Sequence, residues 1–151
     1  MAIHSSTASM GKEIIIFTDG GARGNPGPAA SGFTIDGRGY AKVLGETTNN
    51  VAEYMAVILA LKKAKQLFGS AAKKEIELVI NTDSELLYKQ ALGEYKIKEP
   101  ELQKLFVEVW NLRQDFKSVR FHKVPREENK AADRMVNLAL DGALPPESAV
   151  Q

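Results

Sequence analysis

The sequence predicts an α/β fold built on one mixed sheet, antiparallel in its first part, with later strands reached through helical crossovers. Three observations predict it. Two apolar runs, Glu13–Phe17 and Glu75–Ile80, have the length and β-branched content of buried central strands. Between them lie a hairpin signature, Asp36-Gly37-Arg38-Gly39, and a long helical stretch, Val51–Phe68. After them, helical and extended segments alternate, as in strands joined by crossover helices.

Each element has a local reason. Glu13–Phe17 runs into Thr18-Asp19-Gly20. Gly20–Pro28 holds four Gly and two Pro and predicts a turn-rich loop. Ala30–Ile35 and Tyr40–Glu46 flank the hairpin signature as strands. Thr47-Thr48-Asn49-Asn50 then precedes the helix over 51–68. Glu75–Ile80 ends in Asn81-Thr82-Asp83-Ser84. Ser84–Leu92 and Pro100–Phe116 read as helices, and Val119–Val124 alternates as a strand that stops at Pro125. Asn129 stands where it can cap a last helix, Lys130–Leu140. Residues 1–12 are Ser/Thr/Ala-rich and aperiodic and predict a loose leader. Residues 13–141 predict one domain, and residues 142–151, with two adjacent Pro, a loose tail.

Composition narrows the function classes. A chain of 151 residues suits one domain with a real core. The absence of Cys excludes a disulfide framework, a zinc–thiolate site, an iron–sulfur cluster and a cysteine nucleophile. With 20 basic and 19 acidic residues, any binding of polyanions must come from a local patch. No apolar run approaches the roughly 20 residues of a membrane span. The expectation is a cytoplasmic enzyme or binding module. It is expected to be monomeric, because no predicted element leaves an apolar face unpaired.

Four acids stand out by position. Asp19 and Asp83 each follow an apolar strand, and ligands of open α/β sheets collect beyond strand ends. If the two strands are parallel neighbours, both carboxylates leave the same edge. Glu53 reads as a first-turn residue of the helix over 51–68, on the small-residue face of Ala56, Val57, Ala60 and Ala64. Asp133 reads as a first-turn residue of the last helix, sharing its face with Val136 and Leu140 and pointing at the core side. Taken singly, each acid has a plainer role. Asp19 could form a turn, Asp83 could cap the next helix, and Glu53 and Asp133 could complement helix dipoles. Taken together, four converging carboxylates repel one another unless a cation neutralises them. Oxygen ligands with no Cys and two His in the chain point to Mg²⁺ or Mn²⁺ rather than zinc. Two such ions roughly 4 Å apart are the usual apparatus for phosphodiester hydrolysis.

At these residues the chain resembles the type I ribonuclease H family. The matching segments are Thr18-Asp19-Gly20-Gly21 with Gly24-Asn25-Pro26-Gly27-Pro28, then Thr47-Thr48-Asn49-Asn50-Val51-Ala52-Glu53, then Thr82-Asp83-Ser84, and last Asn129-Lys130-Ala131-Ala132-Asp133. Each piece is weak alone; the four in order are specific. The resemblance implies a ribonuclease H-like fold, a five-stranded mixed sheet flanked by helices. It implies an endonuclease that cuts the RNA strand of RNA–DNA hybrids, leaving 5′-phosphate and 3′-hydroxyl ends. Asp19, Glu53, Asp83 and Asp133 match the family's metal-binding acids, with Asp19 bridging two ions. Gly20, Asn25, Thr48, Asn49, Asn50 and Ser84 match positions near the substrate. There the Gly-rich loop would approach the minor groove and its 2′-hydroxyls, and Thr48 would hold a phosphate of the DNA strand. Helix capping is the plainer reading of Asn49 and Asn50. Whether double-stranded RNA is a second substrate stays open.

Two departures from the family pattern bear on activity. Many members carry a His in the loop before the last acid; here that stretch is Phe121-His122-Lys123-Val124-Pro125-Arg126-Glu127-Glu128-Asn129. Arg126 is the candidate for that loop role, holding a phosphate rather than shuttling a proton. His122 falls in the predicted strand and is assigned a structural or surface role. The second departure is the segment Leu92–Pro100. It is short and mixed in charge where some members have a long basic loop, so phosphate contacts are expected from Lys89, Lys96, Lys98 and Lys123. Glu85 stands where the family often has an amide. Trp110 is read as core or an edge anchor. Two other readings fit the fold: a catalytically silent binding module, which would be expected to lack a metal ligand, and another two-metal nuclease, which would need more chain for binding DNA.

Overall fold

A computed structural model describes residues 11–151, so nearly all of the expected leader lies outside the described residues. Five strands form one sheet: β1 (Lys12–Ala22), β2 (Gly27–Ile35), β3 (Arg38–Thr47), β4 (Ile76–Thr82) and β5 (Ser118–Lys123). The spatial order is β3-β2-β1-β4-β5. The first three strands pair antiparallel, and β1–β4 and β4–β5 pair parallel. The helices are α1 (Asn49–Phe68), the short α2 (Ala72–Glu75), α3 (Glu85–Ala91), α4 (Pro100–Arg113) and α5 (Lys130–Leu140). This is the five-stranded mixed sheet with flanking helices that the sequence predicts.

The sheet is covered unequally. On one face Ile14, Ile16, Leu78 and Ile80 pack against Val57, Ile58 and Leu61 of α1, which α4 covers in turn. Burying each such side chain contributes roughly 1.5–3 kcal/mol. On the other face α5 lies over β1–β3 and makes a smaller cluster of Ala30, Ala41, Met135, Val136 and Ala139. Two glycines set how closely the helices approach. A Cβ on Gly20 would lie 2.2 Å from the Ala52 carbonyl carbon of α1. One on Gly32 would lie 2.8 Å from the Ala132 oxygen of α5. Only a residue without a side chain allows either crossing.

The boundaries differ from expectation in instructive ways. β1 does not stop at Phe17. Thr18–Ala22 continue it, paired with Ala29–Phe33, and the expected loop over 20–28 shrinks to a tight hairpin closed by the Arg23 N–H on the Pro28 carbonyl at 2.8 Å. Asp19 therefore sits inside the strand. Helix α1 begins at Asn49, because the Thr48 hydroxyl accepts the Val51 N–H at 3.2 Å and caps it. Glu53 thus belongs to the second turn. Trp110 does not enter the core: it is 52% exposed at the edge of α4, with the Arg113 guanidinium 5.5 Å from its ring centre. The expected tail makes contacts near its end. Val150 donates its N–H to the Ala41 carbonyl at 3.2 Å and packs on the main core, beside the bridge of Ala41 with Ala149. Among the described residues no helix is long and apolar enough to cross a membrane.

Candidate active site

The site forms where β1 and β4 run side by side. Thr18 pairs with Thr82 in parallel register, so Asp19 and Asp83 occupy equivalent places one step further along. Equivalent places on parallel neighbours face the same side of the sheet. Asp19 is buried, at 8% exposure. The close crossing at Gly20 brings α1 down on β1 and carries Glu53 to the same point. One carboxylate oxygen from each of Asp19, Glu53 and Asp83 lies within 4.8 Å of the others.

Asp133 joins the group from the first turn of α5, near enough for its charge to act on Asp19. The expectation that it points at the core is corrected. Asp133 is exposed and faces an open cleft of about 390 Å³, whose walls also include Arg23, Asn49, Arg126, Val136 and Leu140. The plainer roles of the two strand-end acids are taken by neighbours. Ser84, not Asp83, caps α3, its hydroxyl accepting the Leu87 N–H at 3.1 Å. Asp19 lies in a ladder rather than a turn.

The electrostatics of the cluster are unfavourable without a counter-charge. Burial, then the charges of Asp83 and Asp133, raise Asp19 from 3.8 to about 8. Burial, then Asp19 and Asp83, push Glu53 well above the carboxylate range. The Gly20 N–H opposes both shifts, and the positive charge of Arg126 opposes the second. Glu53 Oε1 is buried and has no hydrogen-bond partner among the described residues. Such an orphaned oxygen is costly unless something binds it. Three converging carboxylates with one orphaned oxygen fit a hard divalent cation.

The residues expected near substrate are used largely to build the rim. Asn49 Oδ1 accepts the Ala22 N–H at 2.8 Å, and Asn25 Oδ1 accepts the Asn49 N–H at 3.0 Å. These two bonds lace the β1–β2 hairpin to the start of α1. Thr48 and Ser84 are spent on caps, Gly20 on the helix crossing, and Asn50 stands exposed. Arg126 lies on a single turn over 126–128, exposed at the cleft. His122 is exposed, its Nδ1 3.0 Å from Asn81 Oδ1. Glu85, Glu127 and Glu128 are exposed. Lys96 and Lys98 border a separate cleft beside α3, whereas Lys89 is drawn to Glu94 and the Tyr95 ring.

One residue of the site escapes sequence reasoning. Asn129, read as the cap of α5, makes no side-chain cap bond. Its buried amide instead donates to the Thr18 carbonyl at 2.9 Å and to Asp83 Oδ2 at 3.2 Å. It pins the start of α5 to β1 and steadies one of the acids. Its partners lie 111 and 46 residues away along the chain, and nothing local in the sequence signals them.

Known proteins are similar to this chain in sequence and fold. The family described as reverse transcriptase-like matches residues 17–139. A bifunctional protein of Mycobacterium tuberculosis is 38% identical over 138 residues, 87% of this chain, and the chain spans 36% of that protein's length. The ribonuclease HI of Halobacterium salinarum is 39% identical over 139 residues, covering 88% of this chain and 67% of that protein. Among solved structures, LC11-RNase H1 in complex with an RNA/DNA hybrid superposes with a TM-score of 0.80 at 43% identity, covering 87% of this chain and 99% of that one. The N-terminal RNase H domain of the Mycobacterium tuberculosis protein gives 0.77 at 36% identity, with 87% and 95% covered. With the acids, the sheet order and these likenesses in agreement, the chain belongs to the type 1 ribonuclease H family.

Proposed function

We propose that the chain is a divalent-metal-dependent endoribonuclease that hydrolyses the RNA strand of RNA–DNA hybrids by a two-metal-ion mechanism, leaving 5′-phosphate and 3′-hydroxyl ends. The observation that carries this reading is the convergence of Asp19, Glu53 and Asp83 within 4.8 Å at the floor of an open cleft. Membership of the ribonuclease H family supports the choice of substrate.

Asp19, Glu53 and Asp83 would hold one Mg²⁺, and Asp19 with Asp133 the second, with Mn²⁺ able to replace either. When bound, the ions supply Lewis acidity at the attacking water and at the leaving 3′-oxygen. The chain's own residues do the rest. Arg126 binds a phosphate beside the cut, and its charge offsets part of the rise at Glu53. Asn129 holds Asp83 in place. The hairpin and the Thr48–Asn50 segment form the rim on which the hybrid is oriented, and the backbone of Gly20 and the Gly24–Gly27 turn approaches the 2′-hydroxyls of the minor groove. In the overall reaction the oxygen of water joins phosphorus, the bond to the 3′-oxygen breaks, and that oxygen takes up a proton. The proposal takes the working unit to be a monomer and its setting to be the cytoplasm.

The test is cleavage of a labelled RNA–DNA hybrid with Mg²⁺, with and without EDTA, beside the same RNA as a single strand and as a duplex. Metal-dependent cuts confined to the RNA of the hybrid are expected. Folded protein that cuts no hybrid with Mg²⁺ or Mn²⁺ would overturn the reading and favour a silent binding module.

A further inference from the structure

The β1–β2 hairpin is tied to the site from two sides. On one side Asn25 and Asn49 lace it to α1. On the other side stands Arg23, whose role no motif assigns. Its Nη2 lies 2.7 Å from Asp141 Oδ1 and 3.4 Å from Asn137 Oδ1. Both partners belong to the C-terminal end of α5, where Asp141 is the capping residue. A guanidinium there also meets the negative end of the helix dipole. The opposite end of α5 is pinned to β1 and Asp83 through Asn129 and carries Asp133. Helix α5 is therefore fixed at both ends to elements that bear the acids.

As a source of stability this ion pair is weak. Its side chains are 49% and 55% exposed, and exposed pairs of this kind contribute little. Its place is the notable feature. It joins the end of β1, beside the cleft, to the far end of α5, opposite the ties that Asn25 and Asn49 make to α1.

We propose that Arg23 is a positioning residue. Through Asp141 it clamps the hairpin to α5, so that the turn which meets the hybrid and the helix which carries Asp133 keep one frame across the cleft. The proposal rests on the hybrid-cutting reading for its purpose, though not for the clamp itself. A freed turn must be ordered again when substrate binds, which raises KM and leaves kcat nearly unchanged.

Two measurements test it on the full chain. The first is exchange in metal-free protein of the amides of Ala22 and residue 23, which bond Asn49 Oδ1 and the Pro28 carbonyl. Arg23→Ala and Asp141→Ala should each speed exchange there while the melting temperature stays within a few degrees. The second is hybrid affinity in EDTA, where no cleavage occurs. Each variant should weaken binding by roughly two- to fivefold, the double variant by no more than either, and the swapped pair Arg23→Asp with Asp141→Arg should recover much of the loss. Unchanged exchange in both variants overturns the clamp. If Arg23→Ala weakens binding while Asp141→Ala does not, Arg23 touches substrate directly and the positioning role is wrong. If the wild type neither binds nor cuts hybrid, the exchange result still decides the clamp, and the hybrid-cutting reading fails on its own.

Discussion

Glu53 and Asp133 both reach the cleft from the early turns of a helix, on opposite faces of the same sheet. Glu53 rides on α1, which crosses β1 in contact at Gly20, and is delivered into the protein with one oxygen unpartnered. Asp133 rides on α5 and stays in solvent beside Asp19. The same residue class near the start of a helix thus gives a carboxylate with an enclosed, unpartnered oxygen in one case and an exposed one in the other. Both helices touch the sheet at a glycine, Gly20 under α1 and Gly32 under α5, so closeness does not make the difference; Asp133 opens onto the cleft, whereas Glu53 Oε1 is enclosed.

The largest predicted effect breaks the floor that the two helices share. Asp19→Asn or Asp83→Asn should lower hybrid cleavage about a thousandfold or more. The metal-free melting temperature should hold or rise, because repulsion is relieved. A fall of many degrees would make the acid a structural element instead.

Next comes the contrast between the helices. Glu53→Gln should raise the melting temperature of metal-free protein at pH 8 by about 2–6 °C, and Asp133→Asn should change it less. Equal shifts would remove the distinction. The pH dependence has the same origin. Between 3.8 and about 8 the folded chain keeps a proton on Asp19 that the unfolded chain has lost. Metal-free stability should therefore fall as pH rises through that window and level off above it. Thermal melts from pH 4 to 9 in EDTA check the sign.

The smallest effect concerns the rim. Arg126→Ala should lower cleavage roughly ten- to hundredfold through lost phosphate binding, without altering the Mg²⁺ concentration needed for half activity. A changed Mg²⁺ requirement would mean that Arg126 acts through its charge on the acids rather than on a phosphate.

What the sequence could reveal followed from period and punctuation. The apolar runs around Ile15 and Leu78 and the stretch after Thr48 read plainly as strands and helix, and the four acids stood out by their place at element ends. What it hid was pairing. Thr18–Ala22 looks like loop because Gly and Pro crowd there, yet β2 supplies the ladder that makes it strand. Trp110 shares a helical face with Leu102 and Val109, but periodicity cannot say where the edge of a buried face falls. Asn129 and Arg23 act on partners far along the chain, and a single sequence carries no sign of that.

The central claim is that the buried acids are built around a divalent cation. It is tested most directly by thermal melting at pH 8 with and without millimolar Mg²⁺, in wild type and Asp19→Asn. Mg²⁺ should raise the wild-type melting temperature and leave the variant's unchanged. No rise in the wild type, or an equal rise in both, would contradict the account.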